Sequence, residues 1–160
     1  MGDVSVKIDA KKATDRLGII QKRLLDFRPA FEAIAQDFAV SQGTMFKKRG
    51  AISGFQRWAD LRPSTLAKKK GRAKTKILQD TGRLMGSLTN VKDPEFVAIY
   101  NKKSISLGTS VPYAKWHHEG TSQMPKRSLL RYTKAREKKW GSLIVRHIVS
   151  SRGLKFERLK

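Results

Sequence analysis

The feature that most constrains this chain is an apolar stripe at helical spacing. Phe31, Ile34, Ala35, Phe38, Ala39, Met45 and Phe46 fall on one side of a helix with 3.6 residues per turn. The spacing predicts a long amphipathic helix from about Pro29 to Lys48. Pro29 is tolerated in the first turn, where its missing N–H has no helical partner to lose. The stripe reads first as core, and secondly as a face that packs on a neighbouring subunit. With 39% hydrophobic and 30% charged residues, the 160-residue chain can build only a modest core under a wide polar surface. That size predicts one domain, 1–160.

Around that helix the periodicity changes several times. Val4, Val6 and Ile8 alternate with Ser5 and Lys7, which predicts a short strand. Leu17, Ile20 and Leu24 predict a first helix from Lys11 to Leu25. Arg49 to Phe55 is a loop with two glycines. Pro63 to Lys70 predicts a short helix capped by Ser64 or Thr65 and closed by Gly71. Asp80 and Thr81 predict the cap of another, which carries Leu84, Met85 and Leu88. Phe96–Tyr100 and Ser104–Thr109 read as two strands of a hairpin that turns at Asn101–Lys103. Val111 to Glu119 predicts one or two helical turns ended by Gly120, and Met124 to Arg127 a loop. Arg131 to Val149 predicts a final helix, ended by Gly153, with a frayed basic tail from Leu154 to Lys160. This order implies an α+β fold: long N-terminal helices packed on a small antiparallel sheet, with a C-terminal helix.

The charge balance is the second constraint. Thirty-five Lys and Arg face thirteen Asp and Glu, a net charge of +22. Such a chain repels itself and calls for an acidic partner, either nucleic acid or an acidic protein surface. Two blocks hold much of the excess, Leu61–Lys76 and Thr121–Lys160, and both are expected to be electropositive surfaces. Lys68, Lys69, Lys70, Arg72, Lys74 and Lys76 form the densest run. They are the expected contact to a polyanion or an acidic partner; on DNA they would meet phosphates without regard to sequence. Trp58, Tyr113 and Trp116 are not interleaved with these cations as in single-strand stacking platforms. Trp58 and Trp116 read instead as core or subunit-interface residues. Met1 to Val6 carries no apolar signal core, and no stretch has the ~20 apolar residues of a membrane span.

Catalytic and metal chemistry find little purchase. There is no cysteine, so disulfides and thiolate ligands are excluded, and a reducing cytoplasm suits the chain. His117 and His118 are adjacent, so their side chains diverge, and only His147 stands elsewhere. One imidazole is expected to bond or pack locally while the other faces solvent. No Gly-x-Ser-x-Gly elbow or phosphate-cradling glycine loop is present. Asp80, Asp93, Glu95 and Glu119 show no acid/base pairing. The expectation is a protein without catalytic residues, metal or cofactor.

One stretch has a recognisable order. Trp58 and Leu61 precede Ser64, Thr65, Leu66 and Lys69. Ile77, Leu78, Asp80, Thr81, Gly82, Arg83, Leu84, Ser87 and Leu88 follow, then Gly108 and Thr109, then Tyr113, Ala114, His117 and Gly120, and last Pro125 and Arg127. This resembles the phage virion morphogenesis family, the Mu-like tail completion proteins, over a motif core of residues 58–130. A basic C-terminal helix and tail, 131–160, lie beyond it. Where the family places an aromatic residue before a Leu, this chain has Ser128. Scaffold roles account for the motif. Asp80–Gly82 would tighten a helix start, Gly108 would allow a close turn at a strand end, and Tyr113 and Trp116 would anchor the next element on the sheet.

The resemblance implies a virion protein made in the bacterial host cytoplasm that acts at the head–tail junction or tail end. The expectation is a ring, favouring six copies to match a six-fold tail tube, that meets the connector and the tail tube or terminator proteins. Its basic surfaces would either dock on an acidic connector or tube end or line a channel crossed by genomic DNA in non-specific contact. The resemblance implies no membrane and no substrate turnover. The alternative is a non-specific DNA-binding accessory protein of packaging or assembly.

Overall fold

The computed structural model describes residues 10–52, 55–71 and 74–149. The predicted strand at Val4–Ile8, Arg72 of the basic run, Gly153 and the tail Leu154–Lys160 lie outside the described residues. Six helices and one two-stranded antiparallel sheet make up the described fold: α1 (Lys11–Leu25), α2 (Arg28–Lys47), α3 (Pro63–Lys68), α4 (Arg83–Thr89), β1 (Phe96–Tyr100), β2 (Ile105–Thr109), α5 (Ala114–Glu119) and α6 (Lys134–Val149). The fold class is α+β, as the sequence implied. No described helix is long and apolar enough to cross a membrane.

Helix α2 is the centre. All seven positions of the predicted stripe are buried. Each large side chain among them contributes roughly 1.5–3 kcal/mol through burial. α4, α6 and the hairpin all pack on α2. Phe38 meets Phe96 of β1 edge to face at 6.1 Å. Asp37 binds α6 through the Lys139 ammonium and accepts a hydrogen bond from Trp140 Nε1 at 2.8 Å. The hairpin pairs Phe96 with Thr109 and Tyr100 with Ile105, and Asn101 N–H closes the turn on Ser104 O at 2.9 Å. Thr109 Oγ1 lies 2.7 Å from the buried Ser87 Oγ and so ties β2 to α4.

Several local expectations need correction. α1 spans its predicted range, but none of its residues is buried, and Leu17 is 66% exposed. It lies chiefly along α6, where Arg23 Nη1 donates to Ile148 O. The predicted side-chain caps are absent from the short helices. α3 starts from Arg62 with no side-chain cap, since Pro63 has already removed one of the N–H groups a cap would satisfy. α4 starts from Gly82 at φ 87°; Asp80 is exposed, and Thr81 Oγ1 reaches only Arg83 N at 3.4 Å. Gly71 stands beyond the end of α3, which Lys69 closes in an extended conformation. Gly108 lies within β2 opposite Val97 and has no positive φ. The final helix begins at Lys134, three residues after its predicted start.

The irregular stretch after α2 delivers Trp58 to the core. The indole is 2% exposed, packs edge to face on Phe46 at 5.5 Å and donates from Nε1 to Ser128 O at 3.1 Å. Gly50 makes this possible. Its φ is +86°, and a Cβ there would stand 2.6 Å from the indole ring. Gly18, in mid-α1, has open space around it. Gly50→Ala is therefore expected to destabilise the protein by about 2 kcal/mol or more. Gly18→Ala is expected to add about 0.5–1 kcal/mol. Urea unfolding of the two variants beside the wild type checks both signs.

Candidate functional site

Most of the residues that carry the family resemblance line one surface feature, an open cleft of about 990 Å³. Leu61 and Thr65 line it from the start of α3. Leu78, Asp80, Thr81, Gly82 and Leu84 line it from the loop into α4. Tyr113 and His117 come from α5, and Pro125 and Arg127 from the segment after it. Other motif residues stand behind the walls, three of them at telling positions. Trp58 is in the core, Gly108 is in β2, and Gly120 makes the turn out of α5 with φ 80°. A Cβ on Gly120 would stand 2.9 Å from Lys126 N, so the close approach of the two segments requires glycine. Nothing in the sequence announced the cleft, because its walls come from segments up to 66 residues apart.

The basic run divides on the structure. Lys68, Lys69 and Lys70 line the cleft, while Lys74 and Lys76 are exposed away from it. Lys69 turns inward: its ammonium donates to Lys76 O at 2.8 Å and to Gln79 O at 3.0 Å. Between those carbonyls Leu78 sits at φ 59°, a left-handed conformation that costs a branched residue roughly 1–2 kcal/mol. Lys69 thus holds the strained loop that forms one wall. Arg83 on the same wall is paired with Glu95, whose carboxyl it keeps below the usual carboxylate range.

Three of the eight described cations of the C-terminal block, Arg127, Arg131 and Arg136, turn to backbone carbonyls, so the block is electropositive surface only in part. Arg127 is 6% exposed; Nε donates to Ala59 O at 3.0 Å and Nη2 to Asp60 O at 3.1 Å. Arg131 donates to Gly50 O and Gln56 O and lies 4.8 Å from the centre of the Phe55 ring. Arg136 donates to Arg131 O at 2.9 Å. Burial lowers the pKa of all three guanidiniums from their ordinary value.

The histidine pair also differs from expectation, since both rings are half-buried. His118 Nδ1 accepts from Leu129 N at 3.0 Å and Leu130 N at 3.3 Å, which fastens α5 to the following segment. His117 packs edge to face on Tyr113 at 5.9 Å, and its Nδ1 is buried with no partner among the described residues. Burial first, and the Arg127 charge second, push the His117 pKa below 6.5. Among the described residues no three of His, Asp or Glu stand together as a metal site. Trp116 is 54% exposed and does not anchor α5 on the sheet; the buried side chain of that helix is Ala114.

Residues 8–149 match the phage virion morphogenesis family, and the chain belongs to it. The match takes in α1, α2 and α6 as well as the motif core, so the helical flanks are part of the family pattern. The family is a structural one, which gives this protein a part in building the phage virion. No curated protein and no solved structure matches the chain.

Two outcomes follow from this geometry. Lys69→Met is expected to lower stability by about 1–2 kcal/mol, because it frees two carbonyls beside a strained residue. Lys68→Met, one position earlier, is expected to change stability by less than about 0.5 kcal/mol. Chemical denaturation of the pair separates an internal lysine from a surface one. The lowered pKa of His117 means the unfolded chain takes up its proton first as pH falls. The stabilisation is complete above pH 6.5 and is lost as pH drops through the folded-state value. Melting temperatures between pH 7.5 and 5 are therefore expected to fall more steeply for the wild type than for His117→Asn.

Proposed function

We propose that this protein completes the phage tail and joins it to the head, as a ring at the neck. The observation that carries this reading is family membership across residues 8–149. Two features of the chain support it. The first is surface charge: Arg62, Lys68, Lys70, Lys74 and Lys76 are exposed on one stretch of chain, ready to meet an acidic connector or tube end. The second is apolar surface left uncovered. Leu17, Leu24 and Leu25 on α1 and Val145 and Val149 on α6 are all exposed, on two helices that lie together. Such a face suits contact between copies. Head-to-tail contacts related by rotation close a ring around a channel, and six copies would match a six-fold tail tube. On this reading the protein is one domain, turns over no substrate and works by contact alone.

A second reading has one observation in its favour, the net charge of +22. A non-specific DNA-binding accessory protein would carry the same footprint. It would bind duplex DNA with an affinity that falls steeply with salt, and it would be absent from finished particles.

The test changes the surface lysines and spares Lys69. Lys68→Glu/Lys70→Glu is expected to leave the fold intact and the protein soluble, while unjoined heads and tails accumulate in the lysate. Immunogold labelling of gradient-purified wild-type particles is expected to mark the head–tail junction. Normal particle yield from the double variant, with no label on mature particles, would move the assignment to the DNA-binding reading.

A further inference from the structure

The cleft combines features that flat basic surfaces lack. Its volume of about 990 Å³ lies at the upper end of the ~300–1,000 Å³ typical of ligand pockets. Its floor is apolar, with Leu84 buried and Leu78, Tyr113 and Met124 half-buried. Its rim is cationic. Lys69, Arg83 and Arg127 are already engaged with carbonyls or Glu95. Arg62, Lys68 and Lys70 line the same cleft, exposed, and their side chains make no hydrogen bond or ion pair with any described residue. Asp80 is the one carboxylate among the described lining residues.

We infer that this cleft receives an extended segment of another protein, one that carries carboxylates on either side of an aliphatic anchor. The inference rests on the assembly role proposed above and names the chemistry of the partner at this site. The aliphatic side chain covers the Leu84–Met124 floor, and the flanking carboxylates meet Lys68, Lys70 and Arg62. Nucleic acid fits less well. A duplex is convex and presents phosphates to protruding lysines, so its backbone would leave the floor wet. A single strand needs open aromatic faces to stack on, and Tyr113 is half-buried, with His117 packed edge to face on it. A peptide in extended form answers both halves of the site, with main-chain reach of about 3.3 Å per residue to span floor and rim.

The full-length protein, immobilised, is to be panned against a random dodecapeptide library, and the enriched peptides measured by fluorescence anisotropy. The expected ligands carry Asp or Glu on both sides of Leu, Ile or Met. Affinity is expected to fall tenfold or more in Lys68→Glu/Lys70→Glu and, separately, in Met124→Asp, whose melting curves are recorded to confirm folding. A 20-base-pair duplex is expected not to displace them. Failure to enrich such peptides, binding that neither variant weakens, or displacement by the duplex would each overturn the inference. Particle incorporation of Met124→Asp is scored in parallel. If library binding fails while labelled wild-type protein still marks the neck, the partner chemistry falls and the assembly role stands.

Discussion

Four carbonyls of the irregular backbone on either side of Trp58, at Gly50, Gln56, Ala59 and Asp60, accept from two arginines further along the chain, and the cleft depends on those bonds. The partners that need these bonds are the cations: Arg127 is 6% exposed and Arg131 half-buried, and a charge taken from water without acceptors is costly. Arg131 supplies Gly50 and Gln56, and Arg127 supplies Ala59 and Asp60. The planar guanidinium suits this task because its donors diverge in a fixed fork that one side chain can set against two carbonyls. The bonding also runs the other way, since the Trp58 indole donates to Ser128 O. Two irregular segments are thus cross-linked in both directions, and the product is a Trp58 ring locked over Phe46. α5 joins the same assembly through Arg127 N on His117 O and His118 Nδ1 on Leu129 N–H. The cleft walls inherit their positions from these bonds.

This construction changes what the charge of the chain means. A net +22 read from composition suggests a surface that needs an acidic partner over its whole area. The structure separates two populations. Arg127, Arg131, Arg136 and Lys69 face backbone carbonyls, and burial lowers the pKa of the three arginines among them. Their donors are turned to peptide carbonyls rather than to solvent. Lys68 and Lys70 flank Lys69 in sequence and are exposed, so chemically identical neighbours play different parts. Exposed charge is therefore less than the sequence count implies, and the cleft is one place where exposed cations stand beside apolar side chains.

What could be read from the sequence follows the range of the interaction involved. Periodic burial is local, so α1, α2 and the hairpin are found at or within a residue of their expected bounds. The α2 stripe is also buried at every expected position, because a broad apolar face admits no other stable environment. Whether a face is covered is not local. Leu17 and Leu24 of α1 have the right spacing and stay exposed, while Ile20 between them is only half-buried. The caps misled for a related reason. Ser, Thr and Asp near a short helix signal a cap only if the chain enters the helix in the usual way, and here Pro63 and the positive φ of Gly82 set the entry. The carbonyl clamps join residues 67 to 81 positions apart, and no pattern in the chain pairs them in advance.

The candidate site shows the same division. Individual motif residues could be named from the sequence, but their shared surface could not, because local signals suggest only separate roles, such as a helix start for Asp80–Gly82 or an anchor for Tyr113. In the structure most of them share one surface, and the residues behind it make that surface possible. Gly120 lets α5 and the Lys126 backbone approach, Lys69 holds Leu78 in a conformation it would not choose, and Trp58 fixes the segment from which Leu61 projects. A stability role for the motif would be met by buried positions alone. Here strained and exposed residues are arranged around a concavity with a cationic rim, and an exposed concavity adds nothing to folding stability. That arrangement is the one the proposed contact with an acidic partner would use, and it gives the motif's turns and helix starts a shared surface beside their part in the core.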